Sequence, residues 1–378
     1  MFEGKEPQDL LDTGVFFRGP WDIFPKEFME KHLLPTARAY GHEAGAFRLR
    51  EKIAEVENRK HNTAYTVANV AIVPGAWAGL VLSIEEAMGL ESGQYRREHI
   101  AVIGPTLYQM FQRPIRDYGM RVIAYDYVLS GHHHVPQTMN EMEEVFSDKP
   151  RTIIISNPNN PDGVFFPANL LREVIERAAQ EDIVIIIDEM QNCFTSEGAC
   201  LGYEQWIEQP HVVRLDSPAK RFGLAQHRVG WVITSPELLG TRRSGIIGRM
   251  SSFIANAPKS LDVILQALLD LDGPKPDFLL EVEASLREKE YYVRERLSVI
   301  PEVVEVYPRG GCVNVAFKVD FDGDDLTLAG KLMERKTLMM PASGYGYNPT
   351  DNVLRITFTQ DLEHIERGLD NLETVLRS

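Results

Sequence analysis

Four stretches of this chain place polar side chains of complementary chemistry directly after, or at the head of, short apolar runs. The run at 152–156 leads into Asn157-Pro158-Asn159-Asn160-Pro161-Asp162-Gly163, and the run at 183–187 ends at Asp188-Glu189. The run at 212–215 ends at Asp216-Ser217-Pro218-Ala219-Lys220, and Arg228 stands at the head of the run at 229–234. In parallel α/β sheets, ligands bind outside the carboxyl ends of the strands. An amide, a carboxylate, an amine and a guanidinium would then line one crevice, a set that suits a single ligand. Further upstream, Gly75-Ala76-Trp77 closes the apolar run Val70–Val73 and opens a helical pattern. Backbone N–H groups at a helix N-terminus attract an anion.

These side chains need a sheet to carry them. Further apolar runs stand at His99–Ile103, before Gly104-Pro105, and at Arg121–Tyr125. Helical patterns such as 168–180 lie between several of the runs. Continuous apolar strands alternating with helices imply a mainly parallel sheet covered on both faces, an α/β architecture. After about residue 250 the pattern changes. Long helices are expected at 251–271 and 278–298, then strands near 303–306 and 313–317. A helix near 326–336, a strand near 353–358 and a last helix at 362–376 complete a smaller α+β unit. A chain of 378 residues exceeds the size at which one core usually stops growing, so two domains are expected. The larger spans 46–270, and the smaller combines 1–45, with an N-terminal arm, and 271–378.

Hydrophobic residues make up 44% and charged residues 25%, ordinary for a globular chain. The formal charge of −15 argues against nucleic-acid binding, which needs Lys and Arg to neutralise phosphates. An anionic ligand would need a local basic pocket. Cys193, Cys200 and Cys312 are odd in number and lack zinc spacing, which reads as free thiols in a reducing, cytoplasmic compartment. No apolar stretch reaches the length of a membrane span, and residues 1–11 are too acidic and polar for a secretory signal.

The motifs together carry a resemblance. Asn157–Gly163 (NPNNPDG), 185–189 (IIIDE), 217–231 (SPAKRFGLAQHRVGW) and 354–358 (LRITF) are similar, in order and spacing, to the class I/II aminotransferases, the fold-type I pyridoxal phosphate (PLP) enzymes. The likeness runs from about Tyr40 to Phe358. It implies a large domain with a seven-stranded, mainly parallel sheet between helices, and a cofactor held as a Schiff base on Lys220. It implies transfer of the amino group of an amino acid to a 2-oxo acid, in a homodimer with shared active sites. Asp188 is then the carboxylate that keeps the pyridine nitrogen protonated, so that the ring works as an electron sink. Ser217, Arg228 and the Gly75-Ala76-Trp77 turn match the phosphate binders. Tyr40 matches a tyrosine that reaches the partner's phosphate. Asn160 matches the donor to the phenolic oxygen, and Arg355 the fork onto the substrate carboxylate. No metal is implied.

The sequence also departs from the family pattern. Gln191 replaces a tyrosine three residues after Asp188; glutamine can donate a hydrogen bond but cannot ionise. Asp162 stands for a threonine, and Gln226-His227 precede Arg228 where a glycine is usual. The ring-stacking aromatic falls at Leu107, which leaves Tyr108, one step later, as the expected stacker and Trp77 as its competitor. These changes leave a lyase, cyclase or oxidase on the same scaffold as the alternative reaction, since fold does not fix chemistry. His132-His133-His134 and the acidic run 320–325 read as solvated loops rather than metal sites. Tyr345 and Tyr347 lie in a Gly-rich loop ahead of Arg355, either against substrate or on the surface.

Overall fold

The computed structural model describes residues 9–10, 27, 41–89, 99–103, 121–125, 135–191, 207–221, 228–254, 277–308 and 311–378. In chain order the strands are β1 (Asp9–Leu10), β2 (Val70–Val73), β3 (His99–Ile103), β4 (Arg121–Tyr125), β5 (Thr152–Ser156), β6 (Val184–Asp188), β7 (Val212–Asp216), β8 (Gly230–Ile233), β9 (Val303–Val306), β10 (Asn314–Val319), β11 (Thr337–Leu338), β12 (Met340–Pro341) and β13 (Val353–Thr357). The helices are α1 (Phe47–His61), α2 (Ala76–Ala87), α3 (Met139–Ser147), α4 (Ala168–Gln180), α5 (Pro218–Arg221), α6 (Pro236–Leu239), α7 (Gly245–Ile254), α8 (Asp277–Ser298), α9 (Asp325–Glu334) and α10 (Leu362–Leu376).

Seven strands form one sheet in the order β2-β8-β7-β6-β5-β3-β4. All neighbours pair parallel except β8, which runs antiparallel to both β2 and β7. The carboxyl ends of β5, β6 and β7 therefore share one edge with the amino end of β8. Alternate residues of the central strands enter two different cores. Ile154, Ile186 and Leu215 join the cluster that contains Leu80 and Ile84 of α2. Ile153, Ile155, Ile185 and Ile187 join the cluster of Phe146 and of Leu171, Val174 and Ile175 of α4. A strand buried on both faces has no place for polar alternation, which is why β5 and β6 read TIIIS and VIIID. Each isoleucine so buried contributes about 1.5–3 kcal/mol.

A second sheet, β12-β13-β10-β9, is antiparallel and packs on α8, α9 and α10 through Leu286, Val293, Phe317, Leu332, Ile356 and Leu372. β1 pairs in parallel with β11, in register Asp9↔Thr337. The acidic run at 320–325 ends as a helix cap, with Asp324 accepting from the Thr327 N–H at 2.7 Å. One helix differs from expectation. α7 begins at Gly245 and not near 251, because Ile246, Ile247 and Met250 already bury a helical face ahead of the expected start. Of the expected 251–271 helix, the part past Ile254 lies outside the described residues.

Candidate active site

Register fixes which strand ends meet. Ser156 stands opposite Asp188, Asp188 opposite Leu215, and Asp216 opposite Trp231. On the far side, Val73 of β2 stands opposite Gly230, two residues past Arg228. The edge thus brings together the ends of five strands, those that carry 157–163, Asp188, 216–220, Arg228 and Gly75.

The β2 corner is a cradle for an anion. Gly75 caps α2 with φ 79°, a conformation that L side chains rarely adopt. A Cβ at Gly75 would stand 2.8 Å from Arg228 Nη2, so the guanidinium lies directly on this turn. A Cβ at Gly230 would stand 2.4 Å from the Ala76 nitrogen, so β8 passes against the first turn of α2 with no room for a side chain. First-turn N–H groups have no partner within their own helix. Together with the positive helix end and the guanidinium they form a basic spot on an acidic protein. Arg228 is exposed, and its backbone is left-handed at φ 53°. Such strain, on the order of 1 kcal/mol, persists where the surroundings fix it, often at functional sites. The Ser217 hydroxyl donates to the Val229 carbonyl at 2.9 Å and accepts from the Ala219 N–H at 3.1 Å. It therefore ties the Lys220 turn to the strand that follows Arg228.

At the middle of the edge stands Asp188. Its carboxylate accepts the Met190 N–H at 2.9 Å. Burial pushes this carboxyl up to about 6, helped by Glu189 and opposed by the Met190 N–H and the Lys220 ammonium. Lys220 and Asp188 are thus within electrostatic reach of one another. Gln191, three residues past Asp188, is buried, and its Oε1 has no hydrogen-bond partner among the described residues. The turn after β5 brings in Asn160, whose Oδ1 accepts from Arg355 Nη1 at 2.7 Å. Arg355 reaches it from the centre of the second sheet, on β13 opposite Ala316, with its guanidinium 4.7 Å over the Tyr345 ring. Tyr345 and Tyr347 are both buried, while Gly344, Gly346 and Asn348 of the same loop are exposed, so the loop turns its two rings inward.

Behind the edge lies a charged network that sequence reasoning missed. Arg214, in the middle of β7, donates through Nε and Nη2 to Glu189 at 3.0 and 2.9 Å, and through Nη2 to Glu57 of α1 at 2.6 Å. His61 lies 3.6 Å from the same Glu57 oxygen. All four are buried. Burial alone would raise Glu57, but Arg214, Lys60 and His61 outweigh it and hold the carboxyl below the usual range. Burial would lower Arg214, but Glu189 and Glu57 hold it well above its ordinary value. Asp216, beside this pair, is pushed up to about 8 by burial and by Glu189, against the Ser217 N–H and Lys60. The one sequence signal was an arginine inside an otherwise apolar strand, VVRLD.

Other expected site residues stand apart. The Trp77 indole is 40% exposed and lines a groove of about 240 Å³ with Val81, Leu82, Met250 and Phe253, between α2 and α7. Tyr40, Leu107, Tyr108, Gln226, His227 and the three histidines at 132–134 lie outside the described residues. Among the described residues no three His, Cys, Asp or Glu side chains gather as a metal site, and no helix is long and apolar enough to cross a membrane.

Pyridoxal phosphate is an anion at one end, a pyridine nitrogen at the other, and a phenolic oxygen between. The residues fit it: the Gly75–Arg228 cradle faces the anion, an elevated carboxyl with no cation but Lys220 among its strongest influences suits the ring nitrogen, and the Asn160 amide, whose oxygen is taken by Arg355, has N–H donors suited to the phenolic oxygen. Comparison with known proteins agrees. The model of the family "Aminotransferase class I and II" matches residues 24–372. The chain is 24% identical over 376 residues to a (5-formylfuran-3-yl)methyl phosphate transaminase of Methanocaldococcus jannaschii, covering 98% of this chain and 88% of that one. It is 23% identical to a probable aspartate/prephenate aminotransferase of Aquifex aeolicus, over 97% and 91% of the two chains. A solved aspartate aminotransferase from Thermus thermophilus with maleate superposes with a TM-score of 0.80 at 19% identity, over 99% of this chain and 92% of that one, a likeness of fold. With a family model that spans nearly its whole length and a sheet edge that suits the cofactor, this chain belongs to the class I and II aminotransferases and is a PLP-dependent enzyme.

Proposed function

We propose that Lys220 is the residue that carries the cofactor, that Asp188 pairs with its ring nitrogen, and that the Gly75–Trp77 turn, Arg228 and Ser217 receive its phosphate. One observation carries this reading: an amine and an elevated carboxyl interact on adjacent strand ends, and a basic cradle on the same edge is built around Gly75. The bound cofactor supplies an aldehyde that condenses with amines and a ring that takes up an electron pair. The protein does the rest. Asp188, ionised, holds the proton on the ring nitrogen. The freed Lys220 Nζ takes the proton from the substrate Cα, a positioned transfer worth roughly 10²–10⁴-fold. Arg355 orients the amino acid by a two-pronged grip on its α-carboxylate, and Asn160 and Gln191 flank the phenolic oxygen. Tyr108 and Tyr40 are proposed to stack on the ring and to reach a partner's phosphate.

The reaction is transfer of an amino group from an amino acid to a 2-oxo acid. We place it in the cytoplasm, in a homodimer with shared sites, with a large domain at 46–270 and a small one from 1–45 and 271–378. Amino-acid preference is not fixed by these residues, since Arg355 reads only the carboxylate common to all. The test is borohydride reduction of the PLP-loaded protein followed by peptide mapping. The label is expected on Lys220; a label on any other lysine refutes the assignment. Gln191, where the family has a tyrosine, is what a lyase, cyclase or oxidase alternative would rest on, and one measurement tests transamination against it. A transaminase given an amino acid alone releases one 2-oxo acid per site and stops, whereas a lyase turns over.

A further inference from the structure

Two ties join the turn after β5 to the segment before and within β13, and only one of them has a role in the reading above. The first is Arg355 to Asn160. The second lies two residues past Asn160 on the turn and eight residues before Arg355 on the other segment. Tyr347 gives its O–H to Asp162 Oδ2 at 3.0 Å, and the partners are 3% and 2% exposed. Asp162 also accepts from Asn159 Nδ2 on both oxygens, at 3.1 and 3.0 Å, and from the Val164 N–H at 3.0 Å. A carboxylate that gathers donors from three residues has little freedom to move. On its other side the Tyr347 ring stacks on Tyr307 with centroids 6.5 Å apart, inside a small core with Ala316, Ala342 and Val353. The strut therefore runs from the second sheet, through Tyr307 and Tyr347, into the turn that carries Asn160.

We propose that Asp162 and Tyr347 are positioning residues for the substrate's carboxylate: their buried bond sets the Arg355 guanidinium against Asn160. The proposal rests on the reading of Arg355 as the carboxylate grip. Asp162 stands where the family pattern has a threonine. A threonine's single, short hydroxyl cannot hold Asn159, Val164 and Tyr347 at once; a carboxylate can, because it offers about four lone-pair sites. Arg355 donates to Asn160 and lies over the face of Tyr345, two residues before Tyr347, so the strut fixes the loop against which the guanidinium rests. Misplacing a binding group by about 1 Å can cost up to about 10²-fold.

The test uses the PLP-loaded protein and propionate, a carboxylate with no amine to react, followed by calorimetric titration. Tyr347→Phe should weaken propionate about tenfold, as expected for loss of one hydrogen bond to a charged group, and Asp162→Ala, which removes the acceptors of Tyr347, Asn159 and Val164 together, by at least as much. The double variant should be no weaker than Asp162→Ala alone, since the Tyr347 bond is already gone there. Affinity for PLP should stay within about twofold, because cofactor contacts are untouched; KM for different amino acids should rise by one common factor, with kcat little changed. Arg355→Ala separates the proposal from the reading beneath it. If it abolishes propionate binding while Tyr347→Phe, which keeps the ring and its stacking, leaves binding intact, the strut proposal is wrong and the grip stands. If wild-type protein takes up no propionate, or Arg355→Ala leaves its uptake unchanged, both fall. Additive losses in the double variant also overturn the strut.

Discussion

Replacing Arg214 by methionine removes the cation from a buried cluster and keeps its volume roughly filled. Three hydrogen bonds go: two to Glu189, at 3.0 and 2.9 Å, and one to Glu57, at 2.6 Å. What remains is two carboxylates, each less than one-tenth exposed, with Asp216 beside them. Breaking a buried ion pair by removing one partner costs about 3–5 kcal/mol, mostly because the other charge stays behind. At about 2 °C per kcal/mol for a chain of this size, the melting temperature near pH 7.5 should fall by roughly 6–10 °C. The sign of its pH dependence follows from the two states. In the wild type Glu57 is held below its unfolded value, so its contribution is present above about pH 4.3 and is lost as pH falls. In the variant Glu189 has lost its cation while Glu57 keeps only Lys60 and His61, so buried carboxylates must ionise with less positive charge beside them and the variant weakens as pH rises. The gap between the proteins should therefore widen from about pH 4 to about pH 8, by scanning calorimetry across that range. Adding Glu57→Gln to the variant should restore part of the loss. A deficit below about 1 kcal/mol, or one that does not change with pH, would refute the reasoning.

Other perturbations test the edge itself. In protein without cofactor, Asp188→Asn should raise stability at pH 7.5 by up to about 3 kcal/mol and weaken PLP binding; because its folded carboxyl sits near 6, above its unfolded value, the gain should vanish below about pH 4, and thermal melts at both pH values check it. Gly75→Ala puts a methyl 2.8 Å from Arg228 Nη2 at a backbone φ of 79°, so PLP affinity measured by absorbance titration should drop by about tenfold or more. Gly230→Ala meets backbone at 2.4 Å, which cannot step aside, and should lower the melting temperature more than Gly75→Ala does. Gln191→Tyr should move the pH midpoint of the bound cofactor's visible band; identical midpoints would show that residue 191 does not tune it.

What could be read in the chain, and what could not, divides by sequence distance. Strand ends were legible because a strand buried on both faces must be apolar until it meets solvent, and the first polar residue therefore marks the edge. Asp188 announces itself this way; Lys220, four residues past Asp216, is legible only through the resemblance of its Ser-x-x-Lys setting. The antiparallel course of β8 leaves no such mark, since a buried strand of either direction reads the same. Nor does the start of α7, where glycines and arginines at 241–249 mask a helical face already built by Ile246, Ile247 and Met250. The ties between segments are illegible for a different reason. Arg214 and Glu57 are 157 residues apart, Asp162 and Tyr347 185, Asn160 and Arg355 195. No local pattern encodes such pairs. Each instead shows as a misfit: an arginine inside a strand, or an aspartate where a hydroxyl is usual.

Those misfits sort by face. Ile186 and Asp188 share one face of β6, while Glu189, the next residue past the strand, turns to Arg214 and not to Lys220's side of the edge. Neighbouring carboxylates one residue apart thus have opposite assignments. Glu189 is given a cation within the protein, Arg214, and is thereby spent on the fold. Asp188 receives one backbone N–H and a more distant amine, and its carboxyl stays raised at about 6. A buried acid left short of positive charge costs stability unless something else brings the charge, and a protonated pyridine ring brings it. The cofactor preference of this edge is therefore written less in the acid itself than in the strand parity that steers Arg214 to its neighbour.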